Sequence, residues 1–255
     1  GYFFQPKDRI VFLGDSITEQ YQYSTYVELY LTGRFPKADF FFLNAGIGGD
    51  TAQGGANRFK SQVLAEKPNK VTINFGMSDG GYGKFNPEAN KRFVERTRDM
   101  LRMAREAGVQ VALMSPNAVD PRNKSNGAEY VETQKTFYAP LAGVAKEFSF
   151  PFVDQYAVTR AAQDRMAVDD PKAEKAKPYY DGFHTSPPGA MLMAHAILTG
   201  LQSPALVSEA TIDAAGSRAE GKQCAITDLK ASAQGVAFTR LDEALPWPIH
   251  KDWLP

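Results

Sequence analysis

Five short apolar runs, each closed by a small or polar residue, constrain this chain more than any other feature. Residues 9–13 (RIVFL) end at Gly14, and residues 39–43 (DFFFL) end in Asn44-Ala45-Gly46. Residues 70–75 end at Gly76, residues 109–114 in Ser115-Pro116, and residues 150–153 at Asp154. Each reads as a strand buried on both faces, as a parallel sheet demands. Helical patterns lie between them. The clearest spans residues 87–107: Asn86 is placed to cap it, Pro87 suits the first turn, and Gly108 closes it. Phe93, Thr97, Met100, Leu101 and Ala104 share one face of that helix. Further helices are predicted over residues 24–34, 56–66, 128–148 (kinked or split by Pro140) and 188–201. The order predicts an α/β fold, a three-layer α/β/α sandwich around a doubly wound, five-stranded parallel sheet of flavodoxin-like type. No internal repeat is found.

Beyond residue 204 the pattern changes. Two short β-like runs, residues 225–229 and 236–239, precede a Pro- and Trp-rich end. The expected division is a main domain over residues 1–203 and a short β-rich C-terminal appendage over residues 204–255, or the start of a further region.

Composition removes several function classes. Lys+Arg and Asp+Glu both number 29, so the formal net charge is zero, which argues against a nucleic-acid partner. Cys224 is the single cysteine and there are only 3 histidines, which excludes a disulfide framework and leaves little for a metal centre. No cofactor and no metal are expected. The most apolar long run, residues 189–201, falls well short of the roughly 20 residues of a membrane span. The chain begins at Gly1, and the expectation is a trimmed or processed start.

In open α/β sheets the ligand lies outside the carboxyl ends of the strands. Four loops therefore matter: Gly14-Asp15-Ser16, residues 44–51, Gly76-Met77-Ser78-Asp79, and Asp181-Gly182-Phe183-His184 before the last helix. Acyl transfer by a hydroxyl needs a nucleophile, a base, an acid that orients the base, and oxyanion donors. Ser16 sits on a strand-to-helix turn, His184 can take its proton, and Asp181 can reach back to the other ring nitrogen. Gly48 and Gly49 admit backbone N–H groups close to a ligand. A serine at such a turn is more often a helix cap, so Ser16 alone would not carry this reading; the four blocks together do.

These blocks resemble the SGNH (GDSL-type) hydrolases, over residues 9–200. Ser16 matches the nucleophile, Gly49 the glycine of an Asn-x-x-x-x-Gly-Asp-Thr block, and Asp181 with His184 the Asp-x-x-His pair. The third block departs, with Ser78 where the family has Asn. The resemblance implies a metal-independent serine esterase for carboxylic esters, short-chain or acetyl, carbohydrate-linked ones included, working through an acyl-enzyme. Its catalytic residues would be Ser16, Asp181 and His184, with Ser16, Gly49 and Ser78 forming the oxyanion hole. It also implies an exported protein, secreted or periplasmic.

Tyr82, Tyr180 and Phe183 flank the catalytic loops and are candidate substrate-binding residues, as is Asn117 just past the fourth strand; wall packing, or a loop brace for Asn117, is the plainer reading of each. Asp15, Asp50, Thr51 and Asp79 read as loop braces, and Asn44 as a link between the first two loops. The charged residues 167–177 read as a solvated loop, with a lid as the alternative. His195 and Cys224 are given no chemistry. The alternative from another class is a flavodoxin-like binding module whose hydrolase site is weakened at Ser78.

Overall fold

The computed structural model describes residues 1–123, 128–172, 174–175, 177–249 and 251. Five strands, β1 (Arg9–Gly14), β2 (Phe41–Gly46), β3 (Lys70–Asn74), β4 (Gln110–Met114) and β5 (Phe152–Val153), form one sheet in the order β2-β1-β3-β4-β5. Every neighbouring pair is parallel. Ile10, Val11, Phe12 and Leu13 are all at most 1% exposed, the burial that a strand covered on both faces requires.

The helices among the described residues are α1 (Ser16–Glu19), α2 (Gln22–Arg34), α3 (Ala52–Arg58), α4 (Pro87–Glu106), α5 (Ala128–Tyr138), α6 (Leu141–Glu147), α7 (Gln155–Asp169) and α8 (Pro187–Gly200). Helices α2 and α8 pack on each other, and α4 packs on α3 and α6. The fold is the three-layer α/β/α sandwich anticipated from the strand–helix alternation. The chain winds outward in both directions from between β1 and β3, and the crevice at that switch point is where such a sheet binds its ligand.

Helix α4 forms for the reasons its sequence suggests. Asn86 Oδ1 accepts from the N–H groups of Glu88 (3.0 Å) and Ala89 (3.1 Å), and Phe93, Val94, Thr97, Met100, Leu101 and Ala104 are its buried face. The helix expected over residues 128–148 is split at Pro140, which lacks an N–H to continue the ladder.

Strand β2, helix α3 and helix α7 depart most from expectation. Strand β2 begins two residues late because Asp39 has a left-handed φ of 53°, and it runs on through Asn44 and Gly46 in full register with β1. The helix expected over residues 56–66 starts at Ala52, where Thr51 caps it, then loosens after Arg58 into a π-turn (Phe59–Val63) and a 3-10 turn (Leu64–Glu66). Helix α7 is not evident from periodicity at all. It reaches into the charged segment 167–177, so residues 167–169 are helix and not loop.

The C-terminal region carries two antiparallel hairpins, β6 (Glu209–Asp213) with β7 (Arg218–Lys222) and β8 (Cys224–Ser232) with β9 (Gly235–Asp242). Strands β7 and β9 are exposed along their whole length, so the hairpins enclose no core of their own. The segment after β9 folds back onto α2. There Trp247 donates its indole N–H to Tyr26 O (3.0 Å), and Leu245 N–H bonds Gly33 O (2.9 Å). His250 lies outside the described residues, as do residues 173 and 176 of the charged segment.

Candidate active site

The loops after β1, β2 and β3 meet at the switch point. Asp15 caps α1, its Oδ1 accepting from Ile17 N–H at 3.1 Å, so the cap role open to a serine at this turn falls to its neighbour. Ser16 is left half-buried, with its hydroxyl free for another partner. The β2 loop closes tightly on this turn: a Cβ at Gly46 would lie 2.2 Å from Glu19 N, so only glycine permits the approach. Asn44 binds the two loops together, donating to Thr18 O (2.7 Å) and Ser24 Oγ (3.1 Å) and accepting from Gly46 N–H (2.9 Å).

The last loop, before α8, brings the histidine. Ser16 Oγ lies 2.7 Å from His184 Nε2, and His184 Nδ1 lies 2.6 Å from Asp181 Oδ2. Asp181 also shapes its own loop: its Oδ1 accepts from His184 N–H (2.8 Å) and Phe183 N–H (3.2 Å). Burial pushes the Asp181 carboxyl up, but the hydrogen bonds from the side chain and backbone of His184 and from Phe183 outweigh it, and the group is held below its usual value. An ionised Asp181 keeps the proton of neutral His184 on Nδ1, leaving Nε2 to accept from the serine.

Gly49 is exposed with a φ of 71°, a conformation that suits glycine, and a Cβ there would meet nothing within 4 Å. Ser78 is half-buried, and its Oγ lies 3.4 Å from Tyr82 Oη. Tyr180 is 57% exposed and stacks on His184 with ring centroids 6.0 Å apart. Phe183 packs between His184 (4.5 Å) and Tyr82 (4.7 Å). Tyr82, Tyr180 and Phe183 thus stand at the rim. Asn117 does not, which corrects its expected place among the substrate-binding residues. It is fully buried, and its amide donates to Phe183 O at 3.0 Å, so it braces the histidine loop from behind.

Asp50, Thr51 and Asp79 are braces. Asp50 Oδ2 pairs with Arg58 Nε at 2.8 Å, and Arg58 also donates to Gly14 O at 3.2 Å. Asp79 accepts from Ala52 N–H at 3.0 Å. The residue is partly exposed, but its carboxyl is enclosed there, and desolvation pushes it up to about 7. Burial does the same to Asp15, again to about 7. Among the described residues no group of three His, Cys, Asp or Glu side chains is arranged to hold a metal ion.

Sequence reasoning misses Gln20. Its Oε1 accepts from both the N–H and the hydroxyl of Thr185 (3.2 Å each), which ties the C-cap of α1 to the histidine loop. It misses Asp120 too, whose N–H donates to Gly182 O at 2.7 Å and whose carboxylate holds Arg122 at 2.8 Å. Neither residue lies in a recognisable block; only the fold brings them to the loop.

A parallel sheet with a Ser–His–Asp chain of hydrogen bonds at its switch point defines the class of an ester hydrolase. Residues 12–192 match the model of the GDSL-like lipase/acylhydrolase family, which is most of the chain. The protein belongs to that family. It is 28% identical over 177 residues to the uncharacterized lipoprotein YqeF of Bacillus subtilis, covering 62% of this chain and 72% of that one. It is 32% identical over 114 residues to Esterase TesA of Pseudomonas aeruginosa, covering 45% of this chain and 53% of that one. Among solved structures it is similar to BT4096, a gut microbial diltiazem-metabolizing enzyme, with a TM-score of 0.83 and 25% identity. That match covers 96% of this chain, which spans 59% of the length of the other. The acetylxylan esterase Axe2 of Geobacillus stearothermophilus shares the fold, with a TM-score of 0.65 and 21% identity over 79% of this chain and 98% of that one.

Proposed function

We propose that this protein is a metal-independent serine esterase that hydrolyses short-chain carboxylic esters, acetyl esters of carbohydrates above all, through an acyl-enzyme. The observation that carries the reading is the contact of Ser16 Oγ with His184 Nε2 at 2.7 Å, continued to Asp181 at 2.6 Å. In the acylation step Ser16 Oγ attacks the ester carbonyl carbon while its proton passes to His184 Nε2. The backbone N–H groups of Ser16 and Gly49 and the Ser78 hydroxyl hold the oxyanion. The tetrahedral intermediate collapses, the alkoxide leaves with the proton from His184, and the acyl group stays on Ser16. Water activated by His184 then attacks the acyl-enzyme and releases the acid. Asp181 stays ionised and stabilises the imidazolium formed in each step. Tyr180, exposed and stacked on His184, offers a flat face for a sugar ring.

The division proposed is a hydrolase domain over residues 1–203 and an appendage over residues 204–255. Export to the cell exterior or periplasm is proposed with it, supported by the similarity to a lipoprotein. Among the described residues no helix is long and apolar enough to cross a membrane, and the partner proposed is an ester substrate.

A fluorophosphonate probe tests the reading against that of a binding module. Labelling at Ser16 is expected, with Ser16→Ala unlabelled, folded, and reduced by about 10⁴ or more in turnover on 4-nitrophenyl acetate. Most of the activity surviving in the folded variant would overturn it.

A further inference from the structure

The oxyanion hole carries a conspicuous substitution, because a serine hydroxyl is a poorer fixed donor than an asparagine amide. It rotates, and it can spend its proton on any nearby acceptor. Something must orient it if it is to serve.

The neighbouring turn supplies the means. Gly81 N–H donates to Ser78 O at 3.1 Å, closing a turn that returns the chain over Ser78. The next residue, Tyr82, has a φ of 58°, a left-handed conformation that strains a non-glycine residue. Such strain persists only where the surroundings enforce it. Here they do. The Tyr82 ring packs on Phe183 at 4.7 Å and edge-on to Tyr130 at 6.2 Å, and Gly83 O accepts from the Thr133 hydroxyl at 2.9 Å. The result places Tyr82 Oη 3.4 Å from Ser78 Oγ. Burial, the largest effect, raises the Tyr82 hydroxyl above its ordinary value; the bond with Ser78 lowers it, and the fields of Asp15, Asp181 and Asp79 raise it again. The net direction is upward, so the phenol stays protonated at neutral pH. The three carboxyls that act on it belong to the Ser16 turn, the histidine loop and the loop after β3.

We propose that Tyr82 is the positioning residue of the oxyanion hole: its phenolic O–H donates to Ser78 Oγ, and this turns the Ser78 O–H toward the oxyanion formed at Ser16. The inference rests on the assignment of Ser16 as nucleophile. A serine oxygen that accepts from a phenol has its own proton free, and a hydroxyl polarised in this way is a stronger donor. The contact is long in the free enzyme, as catalytic hydrogen bonds often are before the substrate closes the site.

The test is a double-mutant cycle on 4-nitrophenyl acetate in the full chain. Ser78→Ala is expected to lower kcat about 10²-fold, within the range for a lost oxyanion donor. Tyr82→Phe, which keeps the ring and its stack on Phe183, is expected to lower kcat about tenfold with KM within about twofold. The double variant should be no slower than Ser78→Ala, because Tyr82 acts only through Ser78. Beside Ser78→Asn, whose amide needs no phenol to aim it, Tyr82→Phe should have no effect on kcat. A residue that merely packs the wall would give one penalty in every background and move KM or the melting temperature with it. Wild-type kcat in Tyr82→Phe, or additive penalties in the cycle, would overturn the proposal while fluorophosphonate labelling of Ser16 still stood. Failure of that labelling would overturn both readings together.

Discussion

Asp15, Asp50 and Asp79 crowd the turn that carries Ser16, and of the three only Asp50 pairs with an arginine among the described residues. Asp15 and Asp79 are instead pushed up to about 7, chiefly by desolvation. In the unfolded chain these carboxyls titrate near their ordinary value of about 4. Between about pH 4 and 7 the folded state therefore binds the proton that the unfolded state has released, and stability falls as pH rises through that window. Each group that titrates alone contributes a slope of at most about 1.4 kcal/mol per pH unit. Asp15→Asn keeps an oxygen for Ile17 N–H and removes the titration. Urea midpoints measured at pH 5 and pH 7.5 should fall less in this variant than in the wild type; equal falls would rule Asp15 out as the source. Asp181→Asn should act on turnover instead, by about 10⁴, because an amide orients the wrong imidazole tautomer. The residues of this site differ in how far the sequence discloses them. Ser16, Gly49, Asp181 and His184 stand in short blocks whose chemistry is local, so their place on the fold is readable in advance. Gln20 and Tyr82 act through a hydrogen bond across the crevice and a backbone strain, neither of which has a local signature.

Helices α4 and α7 show the same contrast at the next scale. The buried face of α4 is largely apolar and recurs at helical spacing, with a cap at each end, so its periodicity announces it. The buried face of α7 is Gln155, Thr159, Ala162 and Gln163. Those side chains dock by hydrogen bonds and not by oil: Thr159 Oγ1 accepts from Ala118 N–H at 2.7 Å, and Gln163 donates to Ala118 O at 2.8 Å. A polar stripe gives no apolar period, and only the Asp154 cap, accepting from Ala157 N–H at 3.0 Å, marks the start. The two helices predict different consequences. Asn86→Ala removes a cap whose hydrogen bonds stay within the first turn of α4 and should cost about 1 kcal/mol in urea unfolding with kcat unchanged. The segment that α7 holds carries Asn117, which braces Phe183 O. Asn117→Ala should therefore lower kcat several-fold in a folded protein, whereas unaltered kcat would show that the histidine loop stands without it.

Across the whole molecule the sheet and its helices bury a continuous core, while the C-terminal hairpins bury almost nothing of their own. They are tied to α2 at its far end. Tyr30 donates to Pro204 O at 2.6 Å, Arg34 donates to Leu206 O and, at 2.5 Å, to Gln223 Oε1, and the Trp247 ring meets Tyr30 edge-on at 6.2 Å. None of these contacts involves Ser16, Gly49, Asp181 or His184. The tie is therefore expected to act on stability and not on turnover. Trp247→Ala removes the indole's contact with Tyr30 and its hydrogen bond to Tyr26 O, a loss of about 1–2 kcal/mol. For a chain of this size that corresponds to a fall of roughly 2–8 °C in melting temperature. Turnover of the folded variant should match the wild type. A chain ending at Ser203 should fall further, because it also loses the Arg34 bonds to Leu206 O and Gln223 Oε1, yet below its own melting temperature its kcat should stay within about twofold. If the shortened chain folds and its kcat drops by orders of magnitude while KM holds, the appendage shapes the crevice through α2 and the separation of the two regions fails.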